Sequence, residues 1–166
     1  MKRKLKIIVS IIAISLSSSV FATDTLEVEL VNGKEYISLN QRNLVILFNA
    51  TNEQFDSIAM AFGFKILSEK DGVVDYILGP MTEKWQVIGK SGFFVTISWF
   101  DMKGTNRLTT SLRKSVEGMP YSTEGKTEYY FLIINNRKYK LGISKESEYV
   151  FEDVTFGLAP GHYPKE

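Results

Sequence analysis

Ser91-Gly92-Phe93-Phe94-Val95-Thr96-Ile97-Ser98-Trp99-Phe100 is the longest uninterrupted β pattern in the chain. Strand side chains alternate between faces. Phe93, Val95, Ile97 and Trp99 therefore share one wholly apolar face. Phe94, Thr96, Ser98 and Phe100 share the other, which is polar in the middle and aromatic at both ends. Such a stretch reads as a central strand of a sheet. Its second face is either roofed by a helix, which is the expectation here, or open to a partner.

Upstream of this strand the pattern is a meander. Strands are expected over 64–67, 73–78 and 84–88, punctuated by Lys70-Asp71-Gly72, Gly79-Pro80 and Gly89-Lys90-Ser91-Gly92. Before it, Thr51 opens a capping box with Gln54. Phe55, Ile58, Ala59 and Phe62 follow at helical spacing, and Gly63 sits at the stop, which predicts a helix over 52–62. The run 44–48 is continuously apolar and reads as a buried strand. Further back, Asn32-Gly33 joins two alternating runs, 26–31 and 34–39, a strong hairpin signal. The register pairs Val31 with Lys34, Val28 with Ile37 and Leu26 with Leu39, which puts the apolar residues on one face.

Downstream, residues 101–107 form a polar loop. Leu108, Leu112 and Val116 then recur at helical spacing until Gly118 and Pro120. Residues 119–126 read as a loop. Strands follow over 128–134, 139–143 and 149–156, with Asn135-Asn136 as a turn. The expected architecture is α+β, a largely antiparallel sheet of about eight strands with two short helices. It forms a single domain over residues 23–156, with a tail over 157–166.

The first 22 residues carry a different message. Lys2, Arg3, Lys4 and Lys6 precede an apolar run over 7–16, and Val20 and Ala22 are placed for a cut after Ala22. This is a secretory signal pattern, shorter than the ~20 apolar residues a spanning helix needs. Cleavage leaves 144 of the 166 residues, starting at Thr23. It removes four basic residues and no acids, so the formal net charge falls from +1 to −3. A mildly acidic domain lacks the basic footprint that nucleic acid requires. The chain has no cysteine, so thiol chemistry and disulfides are excluded. The expected location is periplasmic or secreted, in a bacterium, with no membrane span after cleavage.

Catalytic constellations are broken wherever they are approached. His162 is the single histidine and stands in the tail, where no nucleophile or orienting group is fixed beside it. Ser111-Leu112-Arg113-Lys114 matches a Ser-x-x-Lys pattern without its companion motifs. Gly89-Lys90-Ser91 and Gly125-Lys126-Thr127 resemble the end of a phosphate-binding loop, but Lys84 and Pro120 stand where its first glycine belongs. Neither metal nor cofactor site is expected. Carboxylates remain: Glu27 and Glu29 share a strand face, and Glu146, Glu148, Glu152 and Asp153 cluster late. The expected function is therefore binding. The chain reads as an exported bacterial non-enzymatic protein of inhibitor or immunity type, acting on a protein partner in the cell envelope. Its expected partner contacts are Phe94, Phe100, Asp101, Lys103 and Arg107, where a loop is held on a rigid strand. The alternatives are a small hydrolase using carboxylates on glycan or peptide, or a carrier holding a small ligand inside a curved sheet.

Overall fold

The computed structural model describes residues 26–101, 108–117, 121–144 and 150–159. The fold is α+β, with an eight-stranded antiparallel sheet, a two-stranded sheet and three helices. The small sheet is the hairpin of β1 (Val28–Val31) and β2 (Lys34–Ile37). Helices α1 (Gln41–Asn49) and α2 (Asn52–Ala61) follow. Strands β3 (Lys65–Lys70), β4 (Val73–Leu78), β5 (Lys84–Lys90) and β6 (Phe94–Asp101) form one meander. After α3 (Thr110–Ser115), strands β7 (Ser122–Glu124), β8 (Thr127–Ile134), β9 (Arg137–Ser144) and β10 (Val150–Leu158) form a second.

The strand order is β3-β4-β5-β6-β10-β9-β8-β7. Each meander ends in the middle, where β6 and β10 pair antiparallel from Val150↔Asp101 to Gly157↔Phe94. The opening stretch is thus a central strand, as its pattern predicts. Val95, Ile97 and Trp99 are completely buried. Phe93 departs from the expectation: it stands in the turn before β6 and is 64% exposed.

All three helices lie on the face that carries Val95, Ile97 and Trp99. The Phe48 ring of α1 meets Phe156 of β10 edge-on. Lys90 of β5 donates to the Leu47 and Phe48 carbonyls at the C-terminal end of α1. A cation there satisfies carbonyls that the helix leaves unpaired. Burial lowers the Lys90 pKa from the ordinary lysine value. Helix α2 has the predicted capping box, Thr51 with Gln54. It is tied to the sheet by Tyr76, whose hydroxyl donates to Asp56 at 2.6 Å.

Several expectations are corrected. Residues 44–48 are helical, because Asn40 caps α1 by accepting from the Asn43 N–H at 2.8 Å. The buried residues Leu44 and Leu47 then share a helix face. Strand β10 runs on to Leu158, two residues into the expected tail. Strand β7 occupies part of the expected loop. The hairpin keeps its predicted register from Val31↔Lys34 to Val28↔Ile37, but Glu29 and Tyr36 share the inward face and Leu30 is 69% exposed. The pair Glu29↔Tyr36 turns as a unit, and the Tyr36 ring packs edge-on against Trp99 at 4.7 Å. The larger aromatic area sets the direction.

Buried polar side chains seat these elements. Gln86 accepts from the Ile37 N–H and donates to its carbonyl, standing in for a strand neighbour. Asn43 joins Glu27 and Ser38 in the same way. No helix among the described residues is long and apolar enough to cross a membrane.

Candidate functional site: the open face of the sheet

The face opposite the helices carries the site. Among the described residues no helix covers it, so none of the described helices supplies the expected roof over Phe94 and Phe100. Register assigns its rows. Trp85, Phe100 and Phe151 lie side by side on β5, β6 and β10. Trp85 stacks on Phe100 at 5.4 Å and meets Phe151 at 6.0 Å. In the next row Ser98 donates to Asp153 at 2.7 Å. One row further, Asp75 accepts from Ser68 at 2.8 Å. These carboxylates are held by neighbours that share their face.

The β8–β9 end of the face is aromatic and cationic. Tyr121 stacks on Phe131 at 3.8 Å. The Lys138 ammonium lies 3.7 Å from the Phe131 ring centre, and that of Lys140 lies 3.9 Å from the Tyr129 ring centre. Cation–π contact fixes both ammonium groups on the surface. Phe94 is 37% exposed. Between Phe94 and Tyr129 runs a groove of about 230 Å³, lined also by Phe93, Lys140, Gly142 and Gly157. Its floor exists because two cross-strand positions carry no side chain. A Cβ on Gly157 would lie 2.4 Å from the Phe93 carbonyl oxygen, and one on Gly142 would lie 3.0 Å from the Tyr129 ring.

The five expected contact residues separate. Phe94 and Phe100 share the open face. Asp101 ends β6 on the opposite face and is buried, 3.4 Å from the Lys84 ammonium. It is a buried partner of Lys84, because it continues the inward alternation of Val95, Ile97 and Trp99. Lys103 and Arg107 lie outside the described residues. Trp85, Phe151, Tyr129 and Lys140 were missed as members of this surface. The signal was available in the alternation of each strand, but only cross-strand register brings the four onto one face.

The expected carboxylate cluster also separates. Glu152 and Asp153 are neighbours on β10 and point to opposite faces. Glu152 is buried and accepts from the backbone N–H groups of Leu108 and Thr109 at 2.7 and 3.1 Å and from the Thr109 hydroxyl. Its oxygens thus hold the turn that starts α3. Glu29 lies near it, and burial first, then the Glu152 charge, raises the Glu29 pKa above the ordinary carboxylate value. Glu27 is exposed beside Arg42 at 3.4 Å. Glu146, Glu148 and His162 lie outside the described residues. Of the motif-like segments, Lys90 is committed to α1, and Gly125-Lys126 is the β7–β8 turn.

A second cavity, also about 230 Å³, lies between the hairpin and the sheet, lined by Val31, Lys34, Tyr36, Pro80, Lys84 and Asp101. Its innermost charges, Lys84 and Asp101, neutralise each other. Compared with known proteins, the chain matches no protein-family model, no curated protein and no solved structure.

Proposed function

We propose that this is an exported bacterial binding protein without catalysis of its own, which docks a protein partner in the cell envelope on the open face of its sheet. An inhibitor or immunity-type role fits its size and compartment. The observation that carries the reading is the face that no described helix covers. An antiparallel sheet with a core on one side ordinarily turns a polar face to water. Here that face presents Trp85, Phe94, Phe100, Phe131 and Phe151. They form two clusters, Trp85 with Phe100 and Phe151 at one end and Phe94 with Phe131 at the other, with the polar rows of Ser98 and Thr96 between them, and exposed aromatic clusters mark interaction sites. The reading of export rests on the basic and apolar pattern of residues 1–22.

The test is site-specific photocrosslinking in the native envelope. A benzoyl-phenylalanine at position 94 or 151 should give one adduct of discrete mass. The same group at Met60, exposed on α2, should give none. Absence of adducts at the sheet positions, or the same adducts at Met60, would refute docking on this face. Export is tested by the mass of the recovered protein, which should begin at Thr23. A cytoplasmic chain that retains residues 1–22 would overturn it.

A further inference from the structure

We infer that the groove between Phe94 and Tyr129 seats an apolar side chain from an acidic segment of the protein partner, with Lys140 receiving the adjoining carboxylate. This rests on the open face being a protein-docking surface and names the chemistry of what docks there.

Cross-strand register builds the site. Phe94, Gly157 and Lys140 lie in one row across β6, β10 and β9. Thr96, Thr155, Gly142 and Tyr129 lie in the next. With glycine at 157, Phe94 and Lys140 face each other across two strand spacings, about 10 Å. Filling that gap would need only one side chain, and it would meet the Phe93 carbonyl oxygen and force the backbone to shift. The gap is therefore a permanent feature of the fold. Its volume of about 230 Å³ exceeds the ~30 Å³ share of a water molecule several-fold. It accommodates a leucine-sized group together with the atoms that follow it.

The lining chooses the occupant. Phe93, Phe94, Leu158 and the Tyr129 ring give apolar walls. Among the described residues Lys140 is the one charge in the lining, and no acid accompanies it there. Its ammonium is held 3.9 Å from the Tyr129 ring centre at the margin of the groove. Lys138 adds a second cation one residue pair along, above Phe131. Cations held beside an apolar slot are complementary to a carboxylate placed next to an apolar side chain. The shallow, open shape favours a segment of chain over an enclosed metabolite.

The experiment is an NMR titration of the ¹⁵N-labelled protein, read at the amides of Gly142, Thr155 and Gly157. The probes are acetyl-Leu-Asp-amide, acetyl-Leu-Asn-amide and chitotriose. The Asp peptide should give saturable shifts with a dissociation constant on the order of millimolar, as expected for so small a ligand. The Asn peptide should bind about threefold more weakly, the usual worth of a partly exposed ion pair. Lys140→Gln should make the two peptides equal, and Thr155→Trp should abolish both without changing the far-ultraviolet spectrum. No saturable shift, equal binding of both peptides by the parent protein, or stronger shifts from chitotriose would each overturn the inference. Crosslinking at position 151 separates the two levels. An adduct there with a silent groove removes only this inference. A responsive groove without any adduct removes the docking function, and this inference with it.

Discussion

Replacing Glu152 by alanine removes the acceptor for three donors at once: the Leu108 N–H, the Thr109 N–H and the Thr109 hydroxyl. The hydroxyl can rotate toward another acceptor, but the two backbone groups cannot. Each buried N–H left unpaired costs about 1–3 kcal/mol. Water entering the space vacated by the side chain offsets part of that, so the expected loss is about 2–4 kcal/mol. With a urea slope of about 1–3 kcal/mol per molar, the midpoint should fall by roughly 0.7–4 M at unchanged slope. Glutamine keeps an oxygen for the N–H groups and should cost about 1 kcal/mol. The pH dependence gives a second signature. Glu29 has a raised folded-state pKa, from burial and then from Glu152. Its stabilising contribution is full below its unfolded value of about 4.5 and is lost as pH rises through the folded value. Glu152→Gln removes the second cause. The gap between parent and variant should therefore narrow as pH rises from 4.5 toward neutrality. Equilibrium urea unfolding of both variants across that window is the assay. An alanine variant within 0.5 kcal/mol of the glutamine variant would refute the assignment of Glu152 as the seat of α3, that margin being the usual effect of a surface substitution.

Three further outcomes are expected. The Tyr76 pKa, raised to about 12 by burial and then by Asp56, makes its stabilisation full below pH 10 and lost as pH rises toward 12. Tyr76→Phe should remove this alkaline loss and cost about 1–2 kcal/mol at neutral pH in denaturant titration. Gly157→Ala should destabilise by about 1–3 kcal/mol, because its new Cβ meets backbone atoms. Gly142→Ala should cost under about 1 kcal/mol, because the Tyr129 ring can swing aside. In the hairpin, Leu30→Ser should stay within about 0.5 kcal/mol of the parent. Val31→Ser should cost about 2 kcal/mol through lost burial. A reversal of that order would show that the hairpin presents its other face to the sheet.

The fold was readable where local pattern and turn chemistry agree. The capping box at Thr51, the Asn32-Gly33 turn and the alternation over 94–100 each specify their element without outside help. The apolar run 44–48 misled because a short continuous run fits a buried strand and a buried helix equally, and the arbitrating signal was Asn40, four residues earlier. The hairpin face misled for a different reason. Alternation identifies two faces but not which one meets the sheet, and Tyr36 decides that through a contact with Trp99, 63 positions away. The open face was half legible. Phe94 and Phe100 are visible on one strand, whereas Trp85, Phe151 and Lys140 join them only once the strand order is known. Glu152 and Asp153 look like a pair in the sequence and are separated by the thickness of the sheet.

The seam between β6 and β10 has a kinetic consequence. Every other strand pairing in the large sheet joins sequence neighbours across a hairpin. The seam joins residues at least 49 positions apart, from Asp101 with Val150 to Phe94 with Gly157. Closing that loop is entropically unfavourable until both meanders have formed. The meanders should therefore assemble first, and the seam should zip late, after the folding barrier. A lesion in the seam such as Gly157→Ala should then accelerate unfolding while leaving the refolding rate nearly unchanged. The row that bounds the groove, Phe94 with Gly157, lies at the end of this late seam. The proposed docking surface is complete only when the last step of folding is done, so a half-folded chain presents that groove unfinished.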